Sequence, residues 1–157
     1  MFQLSTEGLE KVKKELKRYE TRESAIIPSL FIAQEENKGW ISEEVIHYLS
    51  NVMDIPASRI AEVATFYTMF NLKPVGKYHV QVCTNISCCL NGGRELAAHI
   101  AKELKTDFGQ MTEDGRFTVS KVECLGSCST APMMQVNDTY HENLTPESAM
   151  NILRGLK

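Results

Sequence analysis

The chain has 157 residues, of which 43% are hydrophobic and 24% charged, and its formal net charge is −3. These values are typical of a globular protein with one domain, or with one small domain and an appendage. Acidic and basic residues are interleaved, which argues against nucleic acid as the main partner because phosphate binding requires a basic face. No apolar run is longer than residues 30–33, so direct membrane insertion is not expected.

The N-terminal part of the chain is predicted to be helical. Apolar residues recur at helical spacing in residues 9–19 and 23–37, which predicts two helices. Gly39 favours a helix end, Ser42 is expected to cap a third helix, and Pro56 is expected to open a fourth. This succession of amphipathic helices without strands indicates an all-α arrangement.

We therefore assign residues 1–73 to a small, bundle-like helical domain. Its apolar stripes are expected to form the core of that domain. A second role is docking, for which Trp40 and the aromatic cluster of residues 66–70 would be the anchors, because aromatic side chains concentrate at interfaces.

The pattern changes after residues 71–77, which contain Pro74 and Gly76 and are predicted to form a linker. The elements predicted beyond it are a strand at 78–83, a helix at 94–104, strands at 117–123, 132–136 and 139–141, and a helix at 145–154. A crossover helix between the first two strands predicts an α/β fold with a mixed sheet for residues 74–157.

Four of the five cysteines lie in two short segments that each follow a predicted strand. The first cysteine loop is the C-x4-C segment from Cys83 to Cys88, and the second cysteine loop is the C-x3-C segment from Cys124 to Cys128. If the two strands are parallel neighbours, both loops meet at one edge of the sheet, where sites in open α/β sheets usually lie.

Two close pairs of thiols are typical of a metal centre. The N-terminus lacks the pattern of a signal peptide, so we expect a cytoplasmic protein, in which cysteines bind metals more often than they form disulfides. Zinc sites favour C-x2-C knuckles, which are absent here, whereas a 2Fe–2S cluster needs two ligands per iron and each loop supplies two. A 2Fe–2S cluster is the favoured interpretation, and a non-redox binding module with structural zinc is the alternative.

The remaining candidate residues carry less specific signals. Gly92, Gly93 and Gly126 would allow backbone N–H groups to approach a cluster closely. Cys89, next to Cys88, is interpreted as a small buried hydrophobic residue. The four histidines are scattered and are assigned structural roles, and no dinucleotide-binding glycine motif is present. We therefore expect no catalytic residue and no FMN or NAD site in this chain.

Both cysteine loops resemble those of the E subunit of the bacterial NADH–quinone oxidoreductases, the respiratory complex I family. The similarity extends from about Glu23 to the end of the chain. The further motifs that carry it are Leu90-Asn91-Gly92, Ala131-Pro132, Ala33-Gln34-Glu35-Glu36, Gly39-Trp40-Ile41-Ser42 and Val63-Ala64-Thr65-Phe66-Tyr67-Thr68.

This resemblance implies a thioredoxin-like 2Fe–2S ferredoxin domain behind the helical domain, with Cys83, Cys88, Cys124 and Cys128 as the cluster ligands. It also implies an electron-transfer subunit of an NADH:quinone oxidoreductase. The cluster would exchange single electrons with the FMN of a partner, an NADH-binding iron–sulfur subunit, beside other subunits of the peripheral arm. The complex would hold the chain at the cytoplasmic face of the inner membrane.

The identity of the complex and the role of Cys89 both have an alternative interpretation. The same module also occurs in NAD-linked hydrogenases and formate dehydrogenases, so an equivalent subunit of such a complex is an alternative. Cys89 departs from the residue that is usual in the family, and its thiolate would be a competitor of Cys88 for the metal.

Overall fold

The computed structural model describes residues 2–157, which form two compact units. The first unit ends at Pro74, and the second runs from Val75 to Lys157. Each unit has its own cluster of buried apolar side chains. Within residues 2–157, no helix is both long enough and apolar enough to cross a membrane.

The first unit is all-helical. Its α-helices within residues 2–74 are α1 (Thr6–Arg18), α2 (Ile26–Glu36), α3 (Glu43–Met53) and α4 (Ala57–Phe66). One apolar core joins them and includes the fully buried Val12, Leu30, Leu49 and Ile60. The prediction of four helices is confirmed.

Local signals set most of these helix ends. The Ser42 Oγ accepts a hydrogen bond of 3.3 Å from the Val45 N–H and caps α3, as predicted. Gly39 adopts a φ of 85° after α2, and its N–H donates to the Gln34 carbonyl over 2.8 Å. The placement of Tyr19 on the first helix is wrong, because its backbone is extended and its side chain is exposed.

The second unit is an α/β layer structure. Its elements are β1 (Tyr78–Cys83), α5 (Ile86–Leu90), α6 (Gly93–Glu103), β2 (Phe117–Val122), β3 (Met134–Val136), β4 (Thr139–His141) and α7 (Pro146–Gly155). The strand order is β2-β1-β3-β4, with β1 parallel to β2 and antiparallel to β3. The predicted mixed sheet with a crossover helix is confirmed.

Two details of this unit differ from the prediction. The short helix α5 was not predicted. Strand β3 begins at Met134 and not at Pro132, because a proline has no N–H to donate to a strand ladder.

The sheet brings the two cysteine loops to one edge. Strands β1 and β2 are in register from the pair Tyr78 and Phe117 to the pair Cys83 and Val122. Both strands therefore end at the same level, and the second loop begins two residues after β2. The Cys83 thiol donates to the Glu123 carbonyl over 3.7 Å, so the two loops start side by side.

Candidate metal centre

All four cysteines of the two loops line one cavity of about 430 Å³. The cavity lies at the sheet edge where β1 and β2 end, and α5 forms much of its wall. The predicted meeting of the two loops is confirmed. The four cysteines thus line a space at a position that is typical of sites in open α/β sheets.

The first cysteine loop belongs to the protein interior. Cys83 ends β1 and Cys88 lies within α5, with only 4% and 2% of their surfaces exposed. Both pack against the fully buried Met133 in a small apolar cluster. The Asn85 Oδ1 accepts a hydrogen bond of 2.7 Å from the N–H of Ile86 and caps α5. Packing and a helix cap therefore fix this loop.

Gly93, the first residue of α6, lies directly against the first loop. A Cβ at this position would lie 2.7 Å from the Cys83 carbonyl oxygen and 2.8 Å from the Cys88 carbonyl oxygen. No side chain fits there, so Gly93 packs directly against the loop backbone; the expected approach of its N–H to a cluster stays a prediction. Gly92 differs, because its surroundings are open and only its φ of 85° favours glycine.

Burial also affects the protonation of Cys88. It raises the pKa of the Cys88 thiol to about 11, with further contributions from a hydrogen bond with Cys83 and from the Cys83 charge. A hydrogen bond from the Met133 N–H lowers the pKa of the Cys88 thiol and so opposes this shift. A metal cation reverses this balance, because a coordinated thiol is deprotonated.

The second cysteine loop lies at the surface. Cys124 and Cys128 are both exposed. Gly126, between them, has a φ of 79°, and its N–H donates to the Cys124 sulfur over 3.3 Å. This is the kind of N–H to sulfur contact that the glycine was expected to allow.

Hydrogen bonds from two neighbouring side chains hold this exposed loop. The Tyr140 hydroxyl donates to the Leu125 carbonyl over 2.8 Å. The Ser87 hydroxyl of α5 donates to the Cys128 carbonyl over 2.9 Å and ties the two cysteine loops together. Sequence reasoning missed these contacts, since neither hydroxyl has a distinctive pattern around it.

Glu142 makes a third connection to the second loop. Its carboxylate accepts hydrogen bonds from the hydroxyls of Ser127 and Thr130. These two hydrogen bonds hold the pKa of the Glu142 carboxyl below its usual value. Glu142 follows β4 directly, so it reaches the loop only because β4 completes that edge of the sheet.

Two other expectations can be compared with the structure. Cys89 is half-buried and not buried as expected, because Cys88 faces the interior and the next residue of a helix points in a different direction. Among the histidines of residues 2–157, none lines the cavity. His79 is a structural residue, whose Nε2 lies 2.9 Å from the Ser120 Oγ and whose pKa is lowered by burial.

The donor set of the cavity consists of two pairs of cysteines. A 2Fe–2S cluster requires two thiolates on each iron, so these four residues supply the number and the pairing of ligands that such a cluster needs.

This fold and cysteine arrangement define a class of protein. A family model described as thioredoxin-like [2Fe-2S] ferredoxin matches residues 12–157, and the chain belongs to this family. Membership confirms the expected thioredoxin-like fold class and the expected cofactor, one 2Fe–2S cluster. It also supports the coarse functional prediction of an electron-transfer protein.

Several relatives with a similar sequence are subunits of NADH dehydrogenases. The NADH-quinone oxidoreductase E subunit of Rickettsia bellii (strain RML369-C) is 42% identical over 158 residues, covering 99% of this chain and 95% of that protein. The E subunit of Rickettsia prowazekii (strain Madrid E) is 47% identical over 131 residues, which cover 82% of this chain and 74% of that protein. Mitochondrial NADH dehydrogenase [ubiquinone] flavoprotein 2 of Dictyostelium discoideum is 42% identical, covering 99% of this chain and 64% of that protein. The predicted resemblance to the E subunit of an NADH–quinone oxidoreductase is confirmed.

A solved structure shows the same fold within a larger chain. The air-oxidized NAD+-reducing [NiFe]-hydrogenase matches 80% of this chain with a TM-score of 0.68 and 22% identity. This chain spans only 22% of that one. At such an identity the match shows the fold alone.

Proposed function

We propose that this chain is the electron-transfer subunit of an NADH:quinone oxidoreductase, in which Cys83, Cys88, Cys124 and Cys128 bind one 2Fe–2S cluster. The observation that carries this proposal is that both cysteine loops line the same cavity in a chain of a 2Fe–2S family. When bound, such a cluster takes up and releases single electrons. The chain's own residues bind and shield it and perform no bond-making chemistry.

Each loop is proposed to supply both ligands of one iron. The first loop brings two thiols that are almost completely buried, so it excludes water from its side of the site. The second loop brings two exposed thiols, and the Gly126 N–H already points at the Cys124 sulfur. Hydrogen bonds of this kind stabilise negative charge on cluster sulfurs and tune the reduction potential.

The proposed electron partner is the FMN of an NADH-binding iron–sulfur subunit. The relatives that are E subunits of NADH-quinone oxidoreductases support this assignment. Ile86 and Leu90 on α5 border the cavity and are 76% and 82% exposed, and apolar surface of this kind is typical of a protein interface. Other peripheral-arm subunits would complete the assembly at the cytoplasmic face of the inner membrane.

We further infer that residues 1–73 and 74–157 are separate domains with separate tasks. The second carries the cluster, and the first serves as a docking domain. Phe66 at the end of α4 is 78% exposed, and Tyr67 and Met69 beside it are also exposed. Phe70 is buried and contacts the ring of Phe31, so only part of the predicted aromatic cluster is free for docking.

Serine variants test the ligand assignment. A Cys→Ser change at position 83, 88, 124 or 128 is expected to deplete iron and acid-labile sulfide, because each position supplies one of four ligands. Cys89→Ser is the matched control, since it removes a neighbouring thiol that is not proposed to bind, and it should retain both. Wild-type iron and sulfide in Cys124→Ser protein would remove Cys124 from the site.

The partner assignment has its own test. The wild-type chain is expected to co-purify with a flavoprotein, and NADH should bleach its visible absorption only in the presence of that flavoprotein. Bleaching by NADH of the isolated chain would contradict the proposal. Co-purification with a hydrogenase or a formate dehydrogenase would favour the alternative complexes.

A further inference from the structure

The second cysteine loop needs a source of rigidity other than burial. Leu125 packs against the small apolar cluster of Cys83, Cys88 and Met133, but Cys128 itself is exposed. The hydroxyls of Ser127 and Thr130 lie on either side of Cys128 in the chain, and both reach the same carboxylate oxygen, Glu142 Oε1. The Glu142 side chain therefore holds both ends of the segment 127–130, which contains Cys128.

We call this contact of Glu142 with the hydroxyls of Ser127 and Thr130 the Glu142 clamp. The Thr130 Oγ1 lies 2.6 Å from Glu142 Oε1, and the two hydroxyl oxygens of Ser127 and Thr130 are 2.7 Å apart. Next to the carboxylate, the Asn143 N–H donates to the Thr130 carbonyl over 2.8 Å. The chain after β4 is thus fastened to the second loop through both side chain and backbone.

The Glu142 carboxylate makes hydrogen bonds to the second loop and no ion pair within residues 2–157. Hydrogen bonds to an ionised carboxylate are roughly twice as strong as those between neutral groups. No Lys, Arg or His of residues 2–157 forms an ion pair with it. Its acceptor capacity therefore serves the loop and not a surface salt bridge.

We propose that Glu142 is a positioning residue that holds the second cysteine loop in the conformation that binds the cluster, by clamping Ser127 and Thr130 around Cys128. The inference rests on the proposed ligand roles of Cys124 and Cys128. Glu142 does not contact the metal. It acts by keeping the Cys128 backbone from moving, as outer-shell partners of metal ligands do.

Three variants distinguish the effect of the hydrogen bonds that Glu142 accepts from the effect of its negative charge. Glu142→Ala removes both, whereas Glu142→Gln removes the charge and keeps an oxygen that accepts the two hydroxyls. Glu123→Ala is the matched control. It deletes an exposed carboxylate next to Cys124 whose side chain makes no hydrogen bond or ion pair within residues 2–157.

The primary measurement is the rate of iron release from the full-length protein to a chelator. Glu142→Ala should lose iron roughly 10-fold to 100-fold faster than wild type, in proportion to the loss of metal affinity that removal of an outer-shell contact usually causes. Glu123→Ala should stay near the wild-type rate, and Glu142→Gln should fall between wild type and Glu142→Ala, because its amide oxygen still accepts the two hydroxyls but makes weaker, neutral hydrogen bonds. Equal rates in Glu142→Ala and Glu123→Ala, or no rescue by glutamine, would overturn the proposal.

Amide hydrogen exchange of the metal-free, full-length chain provides a readout that does not depend on a cluster. Glu142→Ala should accelerate exchange at Thr130 and Asn143 and leave the core strand β1 unchanged. Unchanged exchange in this variant contradicts the clamp. Wild-type protein that cannot be loaded with iron contradicts the proposed function instead, while the exchange data still decide whether Glu142 holds the loop.

Discussion

The two cysteine loops serve one cavity but are held by different forces. Packing holds the first, whose Cys83 and Cys88 are buried against Met133. In the second, Leu125 packs against the same cluster, but Cys124 and Cys128 are exposed and surface hydrogen bonds hold the loop backbone. The first half of the site is therefore held mainly by packing, whereas the second half depends more on polar contacts at the surface. This difference predicts that the two halves respond differently to perturbation.

Thiol labelling of the metal-free chain is expected to show the largest difference. A thiolate is the reactive species, and a thiol with a pKa of about 11 has on the order of 100-fold less thiolate near pH 8 than an ordinary cysteine. Iodoacetamide should modify Cys124 and Cys128 long before Cys88. Mass spectrometry of digests measures the rates at each site, and similar rates at all four would refute the comparison.

The same thiol gives the metal-free chain a pH dependence. Because the folded pKa of Cys88 is above the unfolded value, folding retains a proton that the unfolded chain releases. The stabilisation is complete below pH 8.5, roughly the ordinary cysteine pKa, and is lost as the pH rises toward about 11. Urea unfolding from pH 7 to 10 should show this decline, and Cys88→Ser should reduce it.

Met133→Ala should damage the first loop more than the second. Removing a fully buried methionine leaves a cavity beside Cys83 and Cys88, with an expected cost of about 2–5 kcal/mol. Denaturant unfolding measures the loss. The exposed Met111 is the control, and its alanine variant should change stability by less than about 0.5 kcal/mol.

Gly93→Ala tests the steric fit of α6 against the first loop. Alanine is the better helix former by about 1 kcal/mol, but its Cβ would meet two backbone carbonyls at 2.7 and 2.8 Å. Because backbone cannot rotate away, overpacking should prevail, with a net loss of about 1–3 kcal/mol and lower iron content. Gly92→Ala, in open space, should cost only about 1–2 kcal/mol of backbone strain and keep the iron. Normal iron in Gly93→Ala would show that α6 does not position the loop.

Tyr140→Phe should produce the smallest change. It deletes the hydroxyl that donates to the Leu125 carbonyl, and this contact is exposed, so we expect a loss of about 0.5–1 kcal/mol. The loss should appear as faster iodoacetamide labelling at Cys124, with Cys83 unaffected. A uniform change at all four thiols would mean that the loops are not independent.

The sequence predicts well those features that depend on short-range signals. The alternation in β1, the Ser42 cap and the glycine after α2 all had a local physical cause, and each is confirmed. The meeting of the cysteine loops was also predictable, because a crossover helix makes β1 and β2 parallel and parallel strands end together.

Other features depend on the three-dimensional arrangement. Helix α5 has only five residues, too few to show a helical period, and Asn85 was its only available signal. The partial exposure of Cys89 depends on which way that short helix faces. The Glu142 clamp joins residues up to 15 positions apart with ordinary side chains, so no pattern in the sequence marks it.

The presence of the cluster can be tested by assaying iron and acid-labile sulfide in anaerobically purified wild-type protein and recording an absorption spectrum of the same sample. If the chain binds a 2Fe–2S cluster, the protein should be red-brown and contain equal amounts of both, about two of each per chain. A colourless protein that contains zinc, or one that fails to bind iron under anaerobic reconstitution, would contradict the presence of the cluster.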